Sequence, residues 1–545
     1  MKNSLLITLS FLLFACGGKE ETINKEIDID NLHQHIKTLA SDEFAGRLPS
    51  TPGEDKTINY LAEQFEVAGF SPGNGDSFFQ EVPLMSITSS NDMALSITDS
   101  EGNTTNYQYL KEMVGITRRI VDSIAVEGSE MVFVGYGIVA PEFNWNDYEG
   151  VDVTGKTVVV IVNDPGYVTK DQALFTGNAM TYYGRHTYKY EEAARQGAAA
   201  VLIIHQTGPA GYPWAVVEGG WSGTNFGLVT EDGNASRCAF EGWMTEEVAK
   251  GVFEKAGLDF EEALDSATKP GFKAAPLNQQ LNLVMNNTIE RSVSYNVIAK
   301  LEGSVAPDEY IIYTAHWDHM GTNEDLEGDK IFNGAVDNAT GTAALLELAR
   351  VYAANGPHER TILFLAVTAE EQGLLGSEYY ATNPIYPLAQ TVADINMDAM
   401  NVVGQMKDIT VVGYGNSQLD EYLKKAAGDK GVEVRPEPQP EKGYYFRSDH
   451  FNFAKAGVPA LYTETGTDHV EKGPEWGMSQ QQDYTANRYH KPGDEYDPAW
   501  DLSGLELELE ILYQLGADLA NNKDWPEWNE GVSFKNARDQ QRGSN

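Results

Sequence analysis

The spacing of apolar positions changes character along the chain, and each change marks a different kind of element. From Asp28 to about Pro72 the pattern is helical. Ile58, Leu61, Ala62 and Phe65 recur at i, i+3, i+4 and i+7, one face of an amphipathic helix that ends near Gly69. Between about 73 and 128 short β-like runs alternate with turn residues. From about 129 to 275 the β-like runs Met131–Gly135, Val158–Val162 and Ala198–Ile204 are separated by glycine-rich loops, with a short helix over Tyr190–Gly197. The stretch 206–235, rich in Gly, Trp and Tyr, reads as loop. Past about 285 the texture becomes strand–helix–strand. Tyr310–Ala315 and Thr361–Val367 are nearly unbroken apolar runs, as expected of strands covered on both faces. Between them Gly341–Asn355 is predicted as a helix with Leu345, Leu348, Ala349 and Tyr352 on one side. Ile409–Val412 and Pro459–Tyr462 are further strands, and Leu505, Leu509 and Leu512 sit on a late helix. Strands alternating with helices predict an α/β sheet with parallel pairs. The tail from about 526 is polar.

The N-terminus carries a different signal. Met1-Lys2-Asn3 precedes an apolar run from Ser4 to Ala15 that stops at Cys16-Gly17-Gly18. A basic start, a short hydrophobic stretch and a small residue before cysteine make an export signal, too short to span a bilayer. Leu13-Phe14-Ala15-Cys16 resembles the lipobox of bacterial lipoproteins, and Lys19-Glu20-Glu21 resembles a surface-export tag. The resemblance implies cleavage before Cys16, a lipid on its thiol, and a protein exported and lipid-anchored to the bacterial cell envelope, on the periplasmic face or the cell surface. Residues 1–16 are thus read as signal and 17–27 as linker. With only Cys16 and Cys238, the chain has no disulfide framework. A hydrophobic fraction of 41% argues against wholesale disorder, and 545 residues exceed one ordinary domain. A net charge of −42 repels phosphate backbones and counts against a nucleic-acid partner.

Chemistry gathers where the predicted strands end, the place at which open α/β sheets build their sites. The first strand runs into His316-Trp317-Asp318-His319. Gly334-Ala335-Val336-Asp337-Asn338 precedes the helix at Gly341, and the next strand ends in Ala369-Glu370-Glu371. Asp394-Ile395-Asn396-Met397-Asp398 and Tyr489-His490-Lys491-Pro492-Gly493-Asp494 follow. Singly, each has a bland explanation as a surface pair, a solvated face or an N-cap. Together they satisfy coordination arithmetic. Asp337, Glu371 and Asp398 supply three negative charges against two divalent cations, and a bridging hydroxide completes neutrality. His316 and His490 finish roughly tetrahedral N/O shells that suit zinc. A bridging Asp337 would hold the ions about 3.5–4 Å apart. Asp318 is read as orienting His316, and Asp494 as orienting His490. Glu370, beside a ligand but not needed as one, is the candidate general base, a role worth ~10²–10⁴-fold in rate.

These motifs resemble the co-catalytic dizinc aminopeptidases, zinc exopeptidases related to glutamate carboxypeptidases and glutaminyl cyclases. Ser41-Asp42-Glu43-Phe44-Ala45-Gly46-Arg47 is similar to that family's N-terminal segment, and 129–275 resembles a protease-associated (PA) domain. The resemblance implies a phosphorylase/hydrolase-like three-layer αβα domain with a mixed sheet, spanning 28–128 and 276–525, interrupted by the smaller β-rich PA domain and followed by a tail over 526–545. It implies two Zn²⁺ per chain, one on His316, Asp337 and Asp398, the other on Asp337, Glu371 and His490, with Glu370 as general base and a cis peptide after Asp337. The implied activity is hydrolysis of the N-terminal peptide bond of peptide substrates by a metal-bridging hydroxide. Tyr444, Tyr445, Arg447, Ser448, Asp449 and His450 resemble the loop lining the family's substrate pocket, aromatic walls over a polar floor. His319 is read as structural or pocket-edge, because the ligand set is complete without it.

Other readings stay open on the sequence. A carboxypeptidase would want a cationic clamp, for which Arg447 is the local candidate. A glutaminyl cyclase uses one zinc, and retention of all three carboxylates and both histidines favours two. A non-catalytic binding protein of the same fold would be expected to have lost ligands, and none is missing. A phosphatase or nuclease would pair similar ligands with a phosphate-cradling glycine loop, which is not found here.

Overall fold

The computed structural model describes residues 25–90 and 93–543. The signal segment and Cys16 lie outside the described residues. Within them no helix is long and apolar enough to cross a membrane.

The fold is mixed α/β, built on two sheets that share one strand. In the main sheet the order is Glu433–Pro436, Asp408–Val412, Ala460–Thr465, Thr391–Asn396, Ala306–His316, Arg360–Val367, then the C-terminal half of the 27-residue strand Ala275–Leu301, then Phe79–Ser89 and Thr224–Leu228. The strands around Ala306–His316 pair in parallel, whereas Arg360–Val367, Ala275–Leu301 and Phe79–Ser89 pair antiparallel.

Alternation of side chains explains why the central strands are apolar throughout. In Ala306–His316, Ile311, Tyr313 and Ala315 join one core while Tyr310 and Ile312 join another. Arg360–Val367 divides likewise, Ile362, Phe364 and Ala366 against Leu363, Leu365 and Val367. The first core is roofed by the helices Ile29–Leu39, Pro52–Val67, Gly341–Asn355, Leu419–Asp429 and Ser503–Ala520. The second is covered by Leu375–Thr382 and His450–Lys455. Helices on both faces make three layers, and each Leu or Ile so enclosed contributes about 1.5–3 kcal/mol. Pro52–Val67 starts where expected: Pro52 occupies the first turn, and Thr51 Oγ1 accepts the Gly53 amide at 3.2 Å.

The second sheet runs Thr104–Tyr107, Ala94–Thr98, the N-terminal half of Ala275–Leu301, Ser123–Phe133, Thr157–Ile161, Ala200–His205, Phe240–Thr245 and Met113–Ile116. It therefore takes in strands upstream of residue 129 as well as the 129–275 block. The crossover is abrupt: Asn286 pairs with Ser123 in one sheet and Asn287 with Ser89 in the other. The stretch 206–235 is more ordered than its composition suggests. It holds helices Thr207–Ala210 and Trp214–Gly220, and its strand Thr224–Leu228 leaves its own unit to pair with Phe79–Ser89 of the main sheet. The C-terminal segment is also anchored, because Trp528 and Phe534 are buried and Lys535–Gly543 is helical.

Candidate metal centre

The loops at the carboxyl ends of the main-sheet strands meet at one place. Their backbones are held in unusual shapes. Ala369 precedes Glu370 at φ 53°, Ala399 follows Asp398 at φ 53°, and His490 itself has φ 54°. Such left-handed conformations are uncommon for residues other than glycine and persist where the surroundings over-determine them. Gly334 (φ 56°) is required, since a Cβ there would run into the Asp337 carbonyl and the His319 ring. The Asp337–Asn338 peptide is cis. The Asn338 side chain ties two loops together: Nδ2 donates to Met397 O (3.0 Å), and Oδ1 accepts the amides of Gly341 (2.9 Å) and Ala399 (3.2 Å).

The two carboxylate oxygens of Asp337 face opposite ways. His316 Nε2 lies 3.2 Å from Asp337 Oδ1 and 3.3 Å from Asp398 Oδ1. On the other side His490 Nε2 lies 3.3 Å from Asp337 Oδ2 and 3.1 Å from Glu371 Oε2. Two groups of potential ligand atoms fall within 4.8 Å, His316–Asp337–Asp398 and His319–Asp337–Glu371, with Asp337 common to both. The His316 side is sealed, that ring being 1% exposed, while the His490 ring is 34% exposed and opens the centre to solvent.

Charge is badly unbalanced around these rings. Asp318, Asp337, Glu370, Glu371, Asp398, Asp449 and Asp494 crowd together with three imidazoles. Burial opposes ionisation of Asp337, yet His316 and His490 hold it well below the usual carboxylate range. Glu371 is lowered in the same way, by His319 and His490 against burial. Burial lowers His316, but Asp398, Glu370 and Asp337 carry it well above its ordinary value, and His490 is pushed up to about 10 by Asp337 and Glu371. Glu370 is driven well above its ordinary value by burial and then by Glu371, Asp449 and Asp398. Asp318 rises to about 8 and Asp449 to about 7, chiefly through burial. The imidazole and carboxylate atoms gathered here make a donor set that fits zinc.

The partners behind the ligands differ from those expected. The Asp318 carboxylate sits 3.8 Å from His316 Nδ1, and the closer neighbour of that nitrogen is the Asp318 carbonyl at 3.2 Å. The Asp318 carboxylate instead accepts the Glu370 amide on Oδ1 at 3.0 Å and the Glu371 amide on Oδ2 at 3.4 Å, so it holds the backbone of these two residues. Asp494 accepts the amides of Val336 and Asp337 (3.1 Å each) and so orients Asp337 rather than His490. A carboxylate reaching across from a distant loop takes whichever donors that loop presents, which spacing along the chain does not reveal.

The loop 444–450 divides into two parts. Ser448 Oγ donates to Asp398 Oδ2 (2.7 Å) and accepts from Asn396 Nδ2 (2.7 Å), while Asp449 accepts from Ser377 Oγ at 2.6 Å. Tyr445 and His450 point into the core, His450 stacking on Tyr462 at 4.9 Å and edge-on to Tyr445 at 4.5 Å. Burial pushes His450 down to about 3, so its ring is neutral filling rather than pocket lining. Tyr444 and Arg447 remain half-buried, and Arg447 lies over Tyr212 of the second unit at 5.8 Å.

Two neighbours of the centre take places that the sequence did not assign them. His319 Nδ1 lies 2.6 Å from Glu371 Oε1, so this ring belongs to the centre; its position one residue past the His-x-Asp motif was the available signal. Arg47 is buried beneath the ligand loops. Its guanidinium donates to the carbonyls of Trp317 (2.8 Å), Leu39 (2.8 Å), Asn333 (2.6 Å) and Gly334 (2.8 Å). Burial takes it down to about 10 against the pull of Asp494, Asp318, Asp337 and Glu371.

Residues 296–506, which contain every candidate ligand named above, match the model of Peptidase family M28. Over 112 residues the chain is 42% identical to a protein of Pyrenophora teres f. teres described as a probable zinc metalloprotease, a match covering 20% of this chain and 23% of that one. Over 138 residues it is 34% identical to the mouse aminopeptidase NAALADL1, covering 24% of this chain and 17% of the relative. The chain thus spans less than a quarter of the length of these curated relatives. Among solved structures, an aminopeptidase from Aneurinibacillus sp. strain AM-1 aligns over 93% of this chain and 97% of its own, at 22% identity and a TM-score of 0.48.

Proposed function

We propose that this protein is a zinc-dependent exopeptidase that hydrolyses the N-terminal peptide bond of peptides. One observation carries the reading: Asp337 presents one oxygen to His316 and Asp398 and the other to His490 and Glu371, a disposition made for bridging two cations. In this reading His316, Asp337 and Asp398 hold one zinc, and Asp337, Glu371 and His490 the other, with His319 fixing Glu371. Zinc held there supplies Lewis acidity for the scissile carbonyl and lowers the pKa of water toward neutrality. Glu370, anchored through its amide to Asp318, is the general base. A carboxylate surrounded by other carboxylates holds a proton more firmly, which suits it to accept one from the attacking water and return it to the leaving amine. The names of the matched relatives, a zinc metalloprotease and an aminopeptidase, support the class. The N-terminal lipobox extends the proposal to an exported enzyme tethered to the cell envelope through Cys16, and the second sheet to a PA-type unit beside the centre.

The test is a panel of aminoacyl anilides and N-blocked peptides, assayed after chelation and after zinc is returned. Hydrolysis of the N-free substrates alone, lost on chelation and restored by zinc, is expected. Glu370→Gln should bind zinc as before and lose about 10²–10⁴-fold in kcat. Cleavage restricted to N-blocked peptides would overturn the N-terminal assignment, and normal turnover in Glu370→Gln would remove that residue from the chemistry.

A further inference from the structure

Between the second unit and the loop 444–450 lies a group of cations that no carboxylate satisfies. Arg185 stands just before the helix His186–Arg195, and its side chain makes no hydrogen bond or ion pair among the described residues; its Nε is buried without a partner. Arg447 shares a neighbour with it, the Tyr212 side chain. One Nη donates to the Lys442 carbonyl at 2.7 Å, its guanidinium sits 4.9 Å over the Tyr444 ring and 5.8 Å over the Tyr212 ring, and its Nε is likewise buried and unpartnered. The two guanidiniums are close enough to repel: Arg185 is pushed down to about 10 by burial first, with Arg447 adding to it against Tyr212. His186 stays neutral beside them, lowered by burial and then by Arg185, Arg118 and Arg447. Nearby Arg118 and Arg237 do have an acid, the fully buried Glu241, at 3.6 and 2.8 Å.

Shortage of acids does not explain the pair, because this chain carries 81 Asp and Glu against 39 Lys and Arg. Two half-buried, mutually repelling guanidiniums with buried, unused donors are costly unless an anion completes them. Their place is informative. Arg447 adjoins Ser448, whose hydroxyl bonds the Asp398 carboxylate, so the guanidinium lies within roughly 15 Å of the metal centre, about four extended residues.

We propose that Arg185 and Arg447 form a carboxylate clamp for the peptide substrate, so that the enzyme favours short peptides whose far carboxylate docks there while the N-terminal residue occupies the metal centre. This rests on the exopeptidase reading. The second unit then contributes one jaw, Arg185 with Tyr212, and the catalytic unit the other. The carboxylate has two possible sources, the C-terminus of a short peptide or an acidic side chain within reach.

Two substrate pairs separate these sources: tetraalanine against its C-terminal amide, and Ala-Ala-Glu-Ala-amide against Ala-Ala-Gln-Ala-amide. The free acid is expected to be hydrolysed with about 10–100-fold higher kcat/KM than the amide, mostly through KM, the range of a charge-assisted bidentate contact. In Arg185→Gln and Arg447→Gln that ratio should collapse toward one, with Arg447→Lys recovering part of it. A preference confined to the Glu pair supports the clamp with a side chain as its ligand. Equal rates within both pairs in the wild-type enzyme overturn the clamp without any variant being needed, whereas failure to cleave every N-free peptide would instead overturn the exopeptidase reading.

Discussion

The main-sheet unit buries carboxylates in two ways, and the contrast explains what marks a candidate cation site. At the candidate metal centre seven acidic side chains converge, and Asp337 and Glu371 are drawn below their ordinary range by facing imidazoles despite burial. Elsewhere single acids are enclosed alone. Glu54, on Pro52–Val67, accepts from the Ser50 amide and the Ser294 hydroxyl, and burial raises it to about 7. Glu508, on Ser503–Ala520, is raised to about 7 by burial, against Thr465 and Asn401. An isolated buried acid is neutralised by a proton. Where several converge with imidazoles the outcome divides: Glu370, Asp318 and Asp449 are raised, while Asp337 and Glu371 stay ionised and offer charged oxygens to a cation. Convergence of acceptors, more than burial, separates the two regions.

Asp337→Asn attacks that convergence most directly. It removes the charge shared by both groups, so zinc titration calorimetry should show affinity falling by more than the ~10–100-fold that losing an outer partner costs, with activity lost alongside it. Unchanged binding of two ions would place the bridge elsewhere. Arg47→Met comes next. It leaves four buried carbonyls under the ligand loops without their donor, and the variant should lose at least about 3 kcal/mol in urea unfolding of the zinc-free protein. A loss near zero would mean that water replaces the guanidinium.

Glu508→Gln probes the other region and gives the smallest effect. The folded pKa of about 7 lies above the ordinary 4.5, so the native state holds this proton more tightly than the unfolded chain. The wild type therefore loses stability as pH rises from about 4.5 through 7, by up to about 3 kcal/mol, and is unaffected below that window. The variant should match the wild type at pH 4, gain on it progressively, and level off near pH 8, irrespective of zinc. A gain that depends on zinc would erase the distinction between the two regions.

Much of this was legible in the sequence because it is local. Tyr310–Ala315 and Thr361–Val367 announce themselves as strands by being apolar on both faces, and the residues that follow each of them face the centre. His316, Asp337, Glu371, Asp398 and His490 meet because each sits just past a strand or in a loop that returns to the strand ends. What was not legible depends on contacts distant in sequence. Arg47 reaches carbonyls some 270–290 positions away. Asp494 picks Asp337 over its near neighbour His490, and Thr224–Leu228 crosses into the other sheet. Tyr445 and His450 look like pocket residues in a polar loop and prove to be core, since composition does not tell which way a ring turns.

The strand Ala275–Leu301 has a practical consequence for anyone wishing to simplify the molecule. With a contour of roughly 90 Å at ~3.3 Å per residue, it is a girder common to both sheets. Excising 129–275 to obtain a minimal unit would remove Thr157–Ile161, Ala200–His205, Phe240–Thr245 and the second half of Ser123–Phe133, leaving the girder's N-terminal half paired with Ala94–Thr98 on one side and largely bare on the other. Such an edge invites aggregation. A trimmed protein would have to be cut where the girder changes sheets, at Asn286 and Asn287, and closed onto Ser89.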